Sequence, residues 1–214
     1  LTRMLLIPFS ETSDVPVPAG LLTDEAKLVE ELQVLIYGRR QSRSLQRLLS
    51  RVESTAWSVR DRLSADTWRT IHALTNRDGL PDEIPHLDAP GARFYLDALV
   101  RRAAALSGLS AENMTRGPNW LFVDLGRRLE RASHLSWLVR QSANPPDASE
   151  TERVRIALEI ADSAMTYRSR YLNVFQIAPL IDLLLLDESN PRAAAFQLAA
   201  IESNLAELPR ITPA

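Results

Sequence analysis

The sequence predicts an all-α fold, a multi-helix bundle of about seven helices with no β-sheet. Apolar residues recur at three- and four-residue spacings along most of the chain, which is the period of a helix with one buried face. No stretch combines strand-like alternation with hairpin signals. Seven glycines in 214 residues also leave little material for tight β-turns. We therefore expect helices that pack side by side around an apolar core.

The helical region is predicted to follow a non-helical start. Residues 1–22 carry three prolines and a glycine among Ser and Thr, so they predict an extended lead-in or linker. Residues 23–214 predict a single α-helical domain, which Thr23 opens as an N-cap ahead of two acidic residues. Because residue 1 is Leu and not Met, we expect the chain to be a fragment of a longer protein.

Capping residues and glycines divide the first half of the helical region. Ser64 has the position of an N-cap, and Gly38 has the position of a helix stop. Helices are predicted over 23–38, from Ser42 or Ser44 to Leu63, and over 65–76, followed by a loop over 77–90. A further helix begins near 92, and it either ends near 105 or continues past Gly108 toward 114.

Prolines divide the second half. Pro118 suits the first turn of a long helix, where its missing N–H has no partner to lose, and this helix is predicted to reach Arg140. Two prolines within 144–147 stop it. The remaining helices are predicted over 151–170, 179–186 and 192–208, the last with Asn190 as N-cap before Pro191.

The helix from Pro118 is predicted to be the central one. At about 100° per residue, two apolar stripes lie on roughly opposite sides of it, and a helix that is apolar on two sides lies between other helices. The first stripe holds Leu121, Leu125, Ala132, Leu135, Ser136 and Val139, and the second holds Phe122, Gly126, Ser133 and Trp137. A polar band of Asp124, Arg127, Arg131 and His134 runs between them, with Arg128 leaning into the first stripe.

The composition excludes several classes of protein. A formal charge of −2 argues against a general nucleic-acid binder, for which a basic excess is expected. The absence of cysteine removes disulfides, thiolate metal sites and cysteine nucleophiles, and it fits a cytoplasmic protein. No apolar run approaches the length of about 20 residues that spans a bilayer. We expect no nucleic-acid partner and no membrane partner.

Catalytic and cofactor motifs are missing from the sequence. A diiron bundle needs Glu-x-x-His pairs, whereas Glu130 and His134 are four residues apart and His72 and His86 stand alone. There is no Gly-x-Ser-x-Gly nucleophile elbow and no glycine-rich phosphate loop. We therefore expect no metal and no cofactor, and we favour a non-enzymatic role for this chain alone.

Charged residues cluster close to the predicted core. Asp124 and Arg128 are four apart and can pair on one helix flank. Arginines beside a buried face need carboxylate partners, because unpaired burial is costly. The candidate cluster comprises Arg60, Asp61, Asp124, Arg127, Arg128, Glu130, Arg131, Tyr167 and Arg168.

Three interpretations of these residues stay open. The first is an interhelical ion-pair network that fixes helix register. The second is a pocket of Arg, Glu and Asp side chains that takes a carboxylate or peptide substrate, since Arg matches such groups in bidentate fashion. The third is a partner surface marked by Tyr167, Arg168, Arg170 and Tyr171, because aromatics and Arg are common interface anchors. Homo-oligomerisation through a helical face is a further structural alternative.

The segment Leu-Gly-Arg-Arg-Leu-Glu-Arg-Ala at 125–132 resembles the bacterial alpha-E family, which is named for its α-helices and its Glu-Arg (ER) motif. Other stretches resemble the family in the same order along the chain. They are 58–64 with Trp68, 114–116 with Trp120, 167–171, and 184–187 followed by Pro191 and Arg192. Several spaced motifs are more specific than one Glu-Arg pair.

The resemblance implies a context for the chain. Domains of this family are associated with circularly permuted ATP-grasp ligase-like proteins and with a system that makes or processes a peptide-like product. By that resemblance the chain is a helical accessory or interaction domain, with a protein partner or a fused ATP-grasp-like domain, and a peptide is a possible substrate. The alternative is an enzyme or ligand-binding domain that uses the charged pocket.

Overall fold

The computed structural model describes residues 25–38, 44–76, 89–143, 149–172 and 174–209. Over these residues the chain forms nine α-helices, a short 3-10 helix and a π-helical segment, with no strand. The prediction of an all-α fold is confirmed, although the predicted number of helices is too low. The lead-in at 1–22, the N-cap at Thr23, His86 and the stop at 144–147 lie outside the described residues.

The described chain divides into two compact units at the junction of Met114 and Thr115. We call them the N-terminal unit, which ends at Met114, and the C-terminal unit, which starts at Thr115. Each has its own apolar core. The prediction of a single domain stays a prediction.

The N-terminal unit contains four α-helices. They are α1 (Glu25–Tyr37), α2 (Leu45–Ser58), α3 (Ala65–Thr75) and α4 (Ala89–Asn113), with the 3-10 helix Arg60–Arg62 between α2 and α3. Ser44 and Ser64 cap α2 and α3 by accepting hydrogen bonds from the backbone N–H three residues on. The predicted cap at Ser64 is therefore confirmed, and of the two predicted starts of α2, Ser42 and Ser44, the structure has Ser44. α4 continues past Gly108 as one of the two alternatives predicts.

Leu49, Leu74 and Leu99 form the centre of the N-terminal core. They come from α2, α3 and α4, and α3 packs against both of the other helices. A hydrogen bond of 2.7 Å from Gln46 Nε2 to the Tyr95 hydroxyl also ties α2 to α4. Three helices thus share one apolar centre.

The C-terminal unit contains five α-helices. They are α5 (Pro118–Ala143), α6 (Glu150–Ile160), α7 (Ala164–Tyr171), α8 (Ile177–Ile181) and α9 (Ala194–Glu207), with the π segment Asp182–Leu186 directly after α8. Its core is formed by fully buried side chains from α5 to the π segment, among them Leu138, Val154, Leu158, Tyr167 and Leu183. α9 packs along α5 and against the π segment.

Two predicted helices of this unit differ from the structure. The helix predicted over 151–170 breaks at 161–163, where Asp162 adopts a φ of 48° that α-helices of L-residues do not allow. The predicted N-cap at Asn190 is wrong, because α9 begins at Ala194. Asn190 instead accepts a hydrogen bond of 3.0 Å from the Arg192 backbone N–H, so it forms a turn before the helix.

Only one of the two apolar stripes of α5 is buried. Leu121, Leu125 and Leu135 of the first stripe lie in the core, but Ser136 is exposed. On the second stripe Phe122 is 65% exposed, and Gly126 and Ser133 are exposed as well. Trp137 of the same stripe is half-buried against the C-terminal core. The prediction that α5 is enclosed on two sides is therefore wrong for the second stripe except at Trp137. Stripe geometry reports which residues could be buried, whereas neighbouring helices decide which of them are.

Candidate functional site

The polar band of α5 is arranged on one flank by helix spacing. Asp124, Arg127, Arg128 and Arg131 stand at i, i+3, i+4 and i+7, and residues at these offsets are neighbours on a helix surface. The same flank faces α9, which runs along α5. The Asp124 carboxylate therefore lies close to several guanidinium groups.

Asp124 is the buried centre of this arrangement, with only 4% of its side chain exposed. Its Oδ2 accepts hydrogen bonds from Arg128 Nε at 2.5 Å and from Asn204 Nδ2 of α9 at 2.8 Å. Its Oδ1 lies 3.6 Å from Arg127 Nη2. The predicted pairing of Asp124 with Arg128 is confirmed. We call Asp124, Arg127, Arg128 and Asn204 the Asp124 cluster.

Arg128 extends this cluster toward the turn before α9. Its Nη1 donates a hydrogen bond of 3.4 Å to Gln197 Oε1, and its guanidinium lies 5.8 Å from the centre of the Phe196 ring. Gln197 is itself buried and donates from Nε2 to the Pro191 carbonyl at 2.5 Å. A continuous polar chain thus links α5, α9 and the preceding turn, as a register-fixing network would.

The charge state of Asp124 follows from its partners. Burial alone would raise the pKa of its carboxyl group. The hydrogen bonds from Arg128 and Asn204, together with the positive charges of Arg128 and Arg127, outweigh burial and lower the pKa below its usual value. Asp124 is therefore ionised at neutral pH, and it serves as a structural anion.

An open cleft of about 820 Å³ lies beside the exposed edge of the polar band, within the C-terminal unit. Its walls come from α5, from the end of α6 and from the turn before α9. The lining residues are Glu130, Arg131, His134, Leu135, Ile160, Ala161, Asn190, Pro191 and Arg192. Glu130 and Arg131 both face this cleft, although they are about 100° apart on the helix.

Arg131 is the cation of the cleft that has no carboxylate to pair with among the residues that the structure describes. Partial burial and the positive charges of Arg127 and Arg128 lower the pKa of its guanidinium. An arginine remains protonated under such conditions. Arg131 therefore carries a positive charge among other cations, and an anion in the cleft would relieve the repulsion.

His134 contributes a neutral group at pH 7. Burial lowers the pKa of its imidazole, and the negative charge of Glu130 only partly opposes that effect. The ring lies 6.2 Å from the ring of Trp137 between centroids. A neutral imidazole can donate and accept one hydrogen bond each, so His134 adds polarity to the cleft without adding charge.

The second cation of the cleft, Arg192, is paired. Its Nη2 lies 2.5 Å from Oδ2 of Asp162, in the break between α6 and α7. The turn that carries Arg192 is anchored by Asn190, whose Nδ2 donates to the Leu183 carbonyl at 2.9 Å. Both side chains are exposed, so this ion pair contributes little to the free energy of folding.

Arg60 and Asp61 belong to the N-terminal unit, and they do not line this cleft. The Arg60 guanidinium lies 4.9 Å from the centre of the Trp57 ring and 4.8 Å from that of Trp68. The expectation that Arg60 needs a carboxylate partner is therefore wrong, because two indole faces supply cation–π contacts instead. Asp61 is exposed.

Tyr167 is fully buried, so the partner-surface interpretation is wrong for this residue. Its hydroxyl donates to the Val174 carbonyl at 2.8 Å and accepts from the Gln176 backbone N–H at 3.0 Å. The tyrosine thereby holds the connection between α7 and α8. Arg168 is exposed on the same helix.

Several residues of the site were not among the predicted candidates. Asn204 of α9 completes the Asp124 cluster, and Gln197 of α9 accepts a hydrogen bond from Arg128. Asp162 and Asn190 set the position of Arg192. Neutral amides at helical positions give no sequence signal for such a role. Asn190 did stand out next to a proline, but the expected role was a helix cap.

Within the described ranges, no group of three or more His, Asp or Glu side chains could hold a metal ion. Over the same ranges, none of the helices is both long and apolar enough to cross a membrane.

The chain matches the model of a known protein family. The model of the Alpha-E family, described as a predicted α-helical domain with a conserved ER motif, matches residues 9–214. The chain belongs to the Alpha-E family. The resemblance inferred from the 125–132 segment is confirmed.

The relatives that match this Alpha-E chain are larger proteins. It is 30% identical over 160 residues to the uncharacterized protein Rv2567 of Mycobacterium tuberculosis and to the uncharacterized protein Mb2597 of Mycobacterium bovis. The aligned part is 72% of this chain but only 18% of each relative. No solved structure matches the chain significantly.

Two Glu-Arg dipeptides occur in the sequence, and their surroundings differ. Glu152 completes a capping box with Ser149 at the start of α6, and Arg153 Nε donates to the Ser142 carbonyl at 2.9 Å. That dipeptide therefore has a local structural role. Glu130 and Arg131 instead face the open cleft, which makes them the candidate functional pair.

Proposed function

We propose that this Alpha-E chain is a helical accessory domain of a bacterial peptide ligation or modification system, and that it handles a peptide-like ligand by contact rather than by catalysis. The ATP-using step belongs to an ATP-grasp-like partner or fused domain. Such a system would act in the cytoplasm, with which the cysteine-free composition is compatible. The ligand contact is assigned to the cleft beside Glu130 and Arg131.

The observation that carries the proposal is the contrast between the two parts of the polar band. Asp124 and Arg128 are paired and largely buried, as a structural network requires. Arg131 instead lines an open cleft and makes no ion pair with the described residues. A guanidinium that the fold leaves without a carboxylate is the usual means of holding an anionic group.

The absence of a glycine-rich phosphate loop in the sequence supports a division of labour. A domain that presents a ligand needs a cleft and a few polar groups, whereas ATP use needs a dedicated phosphate cradle. The relatives also extend well beyond the region that this chain matches, so other parts of those proteins are free to supply further functions.

Two measurements on the purified chain test the proposal. Titration calorimetry with Mg-ATP should give no binding heat, and co-expression with an ATP-grasp-like protein from the same genome should yield a complex that survives affinity purification. Arg131→Gln should leave the complex intact, because the proposal assigns Arg131 to the ligand and not to the ATP-grasp-like partner. Arg155→Gln, which changes an exposed arginine of α6 away from the cleft, should match the wild type as well. Measurable ATP affinity, or failure to retain the ATP-grasp-like protein, would reject the proposed role.

A further inference from the structure

We propose that the cleft of the C-terminal unit binds the free carboxylate of a peptide-like ligand between Arg131 and Arg192. This inference deepens the proposed function and rests on it, because it names the ligand group that the cleft recognises.

Arg131 is the available cation. It lines the cleft and forms no ion pair with the residues that the structure describes. The Asp124 carboxylate supplies only part of the counter-charge of Arg131, because its hydrogen bonds go to Arg128 and Asn204 and it also lies near Arg127. A carboxylate that enters the cleft would form charge-assisted hydrogen bonds with a donor whose geometry suits bidentate pairing.

Arg192 can exchange its present partner, Asp162, for a ligand carboxylate. Its present partner, Asp162, is 86% exposed at the side chain, so the pair costs little to open. The turn that carries Arg192 is fixed by Asn190 through hydrogen bonds to the Leu183 carbonyl and from the Arg192 backbone N–H. The guanidinium can therefore leave Asp162 and turn to a ligand while its backbone stays in place.

The local charge favours a carboxylate over a phosphate group. Arg131 and Arg192 bring two positive charges to the cleft and Glu130 brings one negative charge, so the lining is left with one net positive charge once Arg192 has left Asp162. His134 adds no charge at neutral pH, because burial lowers the pKa of its imidazole. A bound monoanion balances that net charge, whereas a dianion would leave an uncompensated negative charge beside Glu130.

The remaining walls suit a peptide next to that carboxylate. Leu135, Ile160, Ala161 and Pro191 add apolar surface to the lining of the cleft. Glu130 has no ion-pair partner within the described part of the chain and can accept a hydrogen bond from a peptide N–H. A carboxylate, an N–H group and an apolar side chain together are the recognition elements of a peptide end.

The test uses the whole chain and two defined probes, the N-acetylated tripeptide Ala-Ala-Leu with a free carboxylate and the same peptide as its C-terminal amide. NMR or microscale titration should detect binding of the free acid and at least about tenfold weaker binding of the amide, since a hydrogen bond to a charged group is worth that much. Equal binding of acid and amide would overturn the proposal. So would stronger competition by inorganic phosphate than by acetate.

Two variants have opposite expected effects. Arg131→Gln should weaken binding of the free acid by at least about tenfold. Asp162→Asn should tighten binding of the free acid by about two- to fivefold, because it removes the carboxylate that competes with the ligand for Arg192. The size of the effect is that of losing one exposed ion pair. Asn accepts the φ of 48° at residue 162, so the break keeps its conformation.

Arg155→Gln is the matched control for the loss of a surface arginine and should leave affinity unchanged. Circular dichroism and thermal melts of each variant exclude unfolding as the cause. Weaker binding by Asp162→Asn in a folded protein would contradict the exchange of Arg192. If the free acid binds as expected but the chain retains no ATP-grasp-like protein, the proposed function fails and the carboxylate site stands. If the chain retains the ATP-grasp-like protein but does not bind the free acid, the carboxylate site is rejected and the proposed function stands.

Discussion

Replacing Asp124 by Asn should destabilise the C-terminal unit strongly. The substitution keeps the shape of the side chain but removes the negative charge that Arg128 and Arg127 share. Breaking a buried ion pair from one side costs about 3–5 kcal/mol. Because 22% of the Arg128 side chain is exposed and can regain water, we expect a loss of about 2–4 kcal/mol.

Urea unfolding followed by circular dichroism measures this loss. With a denaturant slope of about 2 kcal/mol/M for a small domain, the midpoint should fall by about 1–2 M. Tryptophan fluorescence helps to distinguish the unfolding of the two units. Trp120 and Trp137 lie in the C-terminal unit, and Trp57 and Trp68 lie in the N-terminal unit. Separate transitions would require each unit to be fitted by itself.

The matched control is Asp162→Asn, which removes the same charge from an exposed ion pair with Arg192. It should cost no more than about 1 kcal/mol. A double variant of Asp124→Asn with Arg128→Gln should recover part of the loss, because it no longer leaves a partly buried charge alone. If Asp124→Asn costs as little as Asp162→Asn, the Asp124 cluster is not what holds α9 on α5.

Two further predictions concern the same unit. Tyr167→Phe should lower the free energy of unfolding by about 1–3 kcal/mol, because the Val174 carbonyl and the Gln176 N–H lose a buried partner; an unchanged urea midpoint would contradict that role. The Asp187 carboxyl has its pKa lowered from 3.8 to about 2 by hydrogen bonds from Ser189 and Arg170, so its contribution is present above the unfolded pKa and is lost as the pH falls through 2. Asp187→Asn should therefore flatten the dependence of stability on pH between about 4 and about 2, which acid titration at fixed urea can measure; an unaltered slope would count against the lowered pKa.

The fold class and the helix starts could be predicted because they depend on local chemistry. Ser44, Ser64 and Pro118 mark helix starts by hydrogen bonding and by the missing proline N–H, and the structure has helices beginning at each of them. The break at Asp162 could not be predicted, because nothing in the local sequence forbids a continuous helix there. The break depends on how α6 and α7 pack around the same core.

The site was predictable only within a single helix. The spacing of Asp124 and Arg128 predicts their pairing, since both lie on α5. The partners from α9 and the turn before it, such as Asn204 and Arg192, depend on tertiary packing that periodicity does not report. The exposure of Phe122 has the same origin, because a helical stripe does not state whether a neighbour covers it.

The π segment places one more residue between α8 and Asp187 than an α-helical turn would hold. The hydrogen bond of 3.0 Å from the Asp187 N–H to the Asp182 carbonyl spans five residues, one more than an α-helical turn. Removing one residue from 182–186 would turn this bond into an α-helical one between the same two chain ends, so Asp187 could stay beside Arg170. Homologous chains that are one residue shorter in this segment should therefore keep the same packing, with an α-helical turn in place of the π segment.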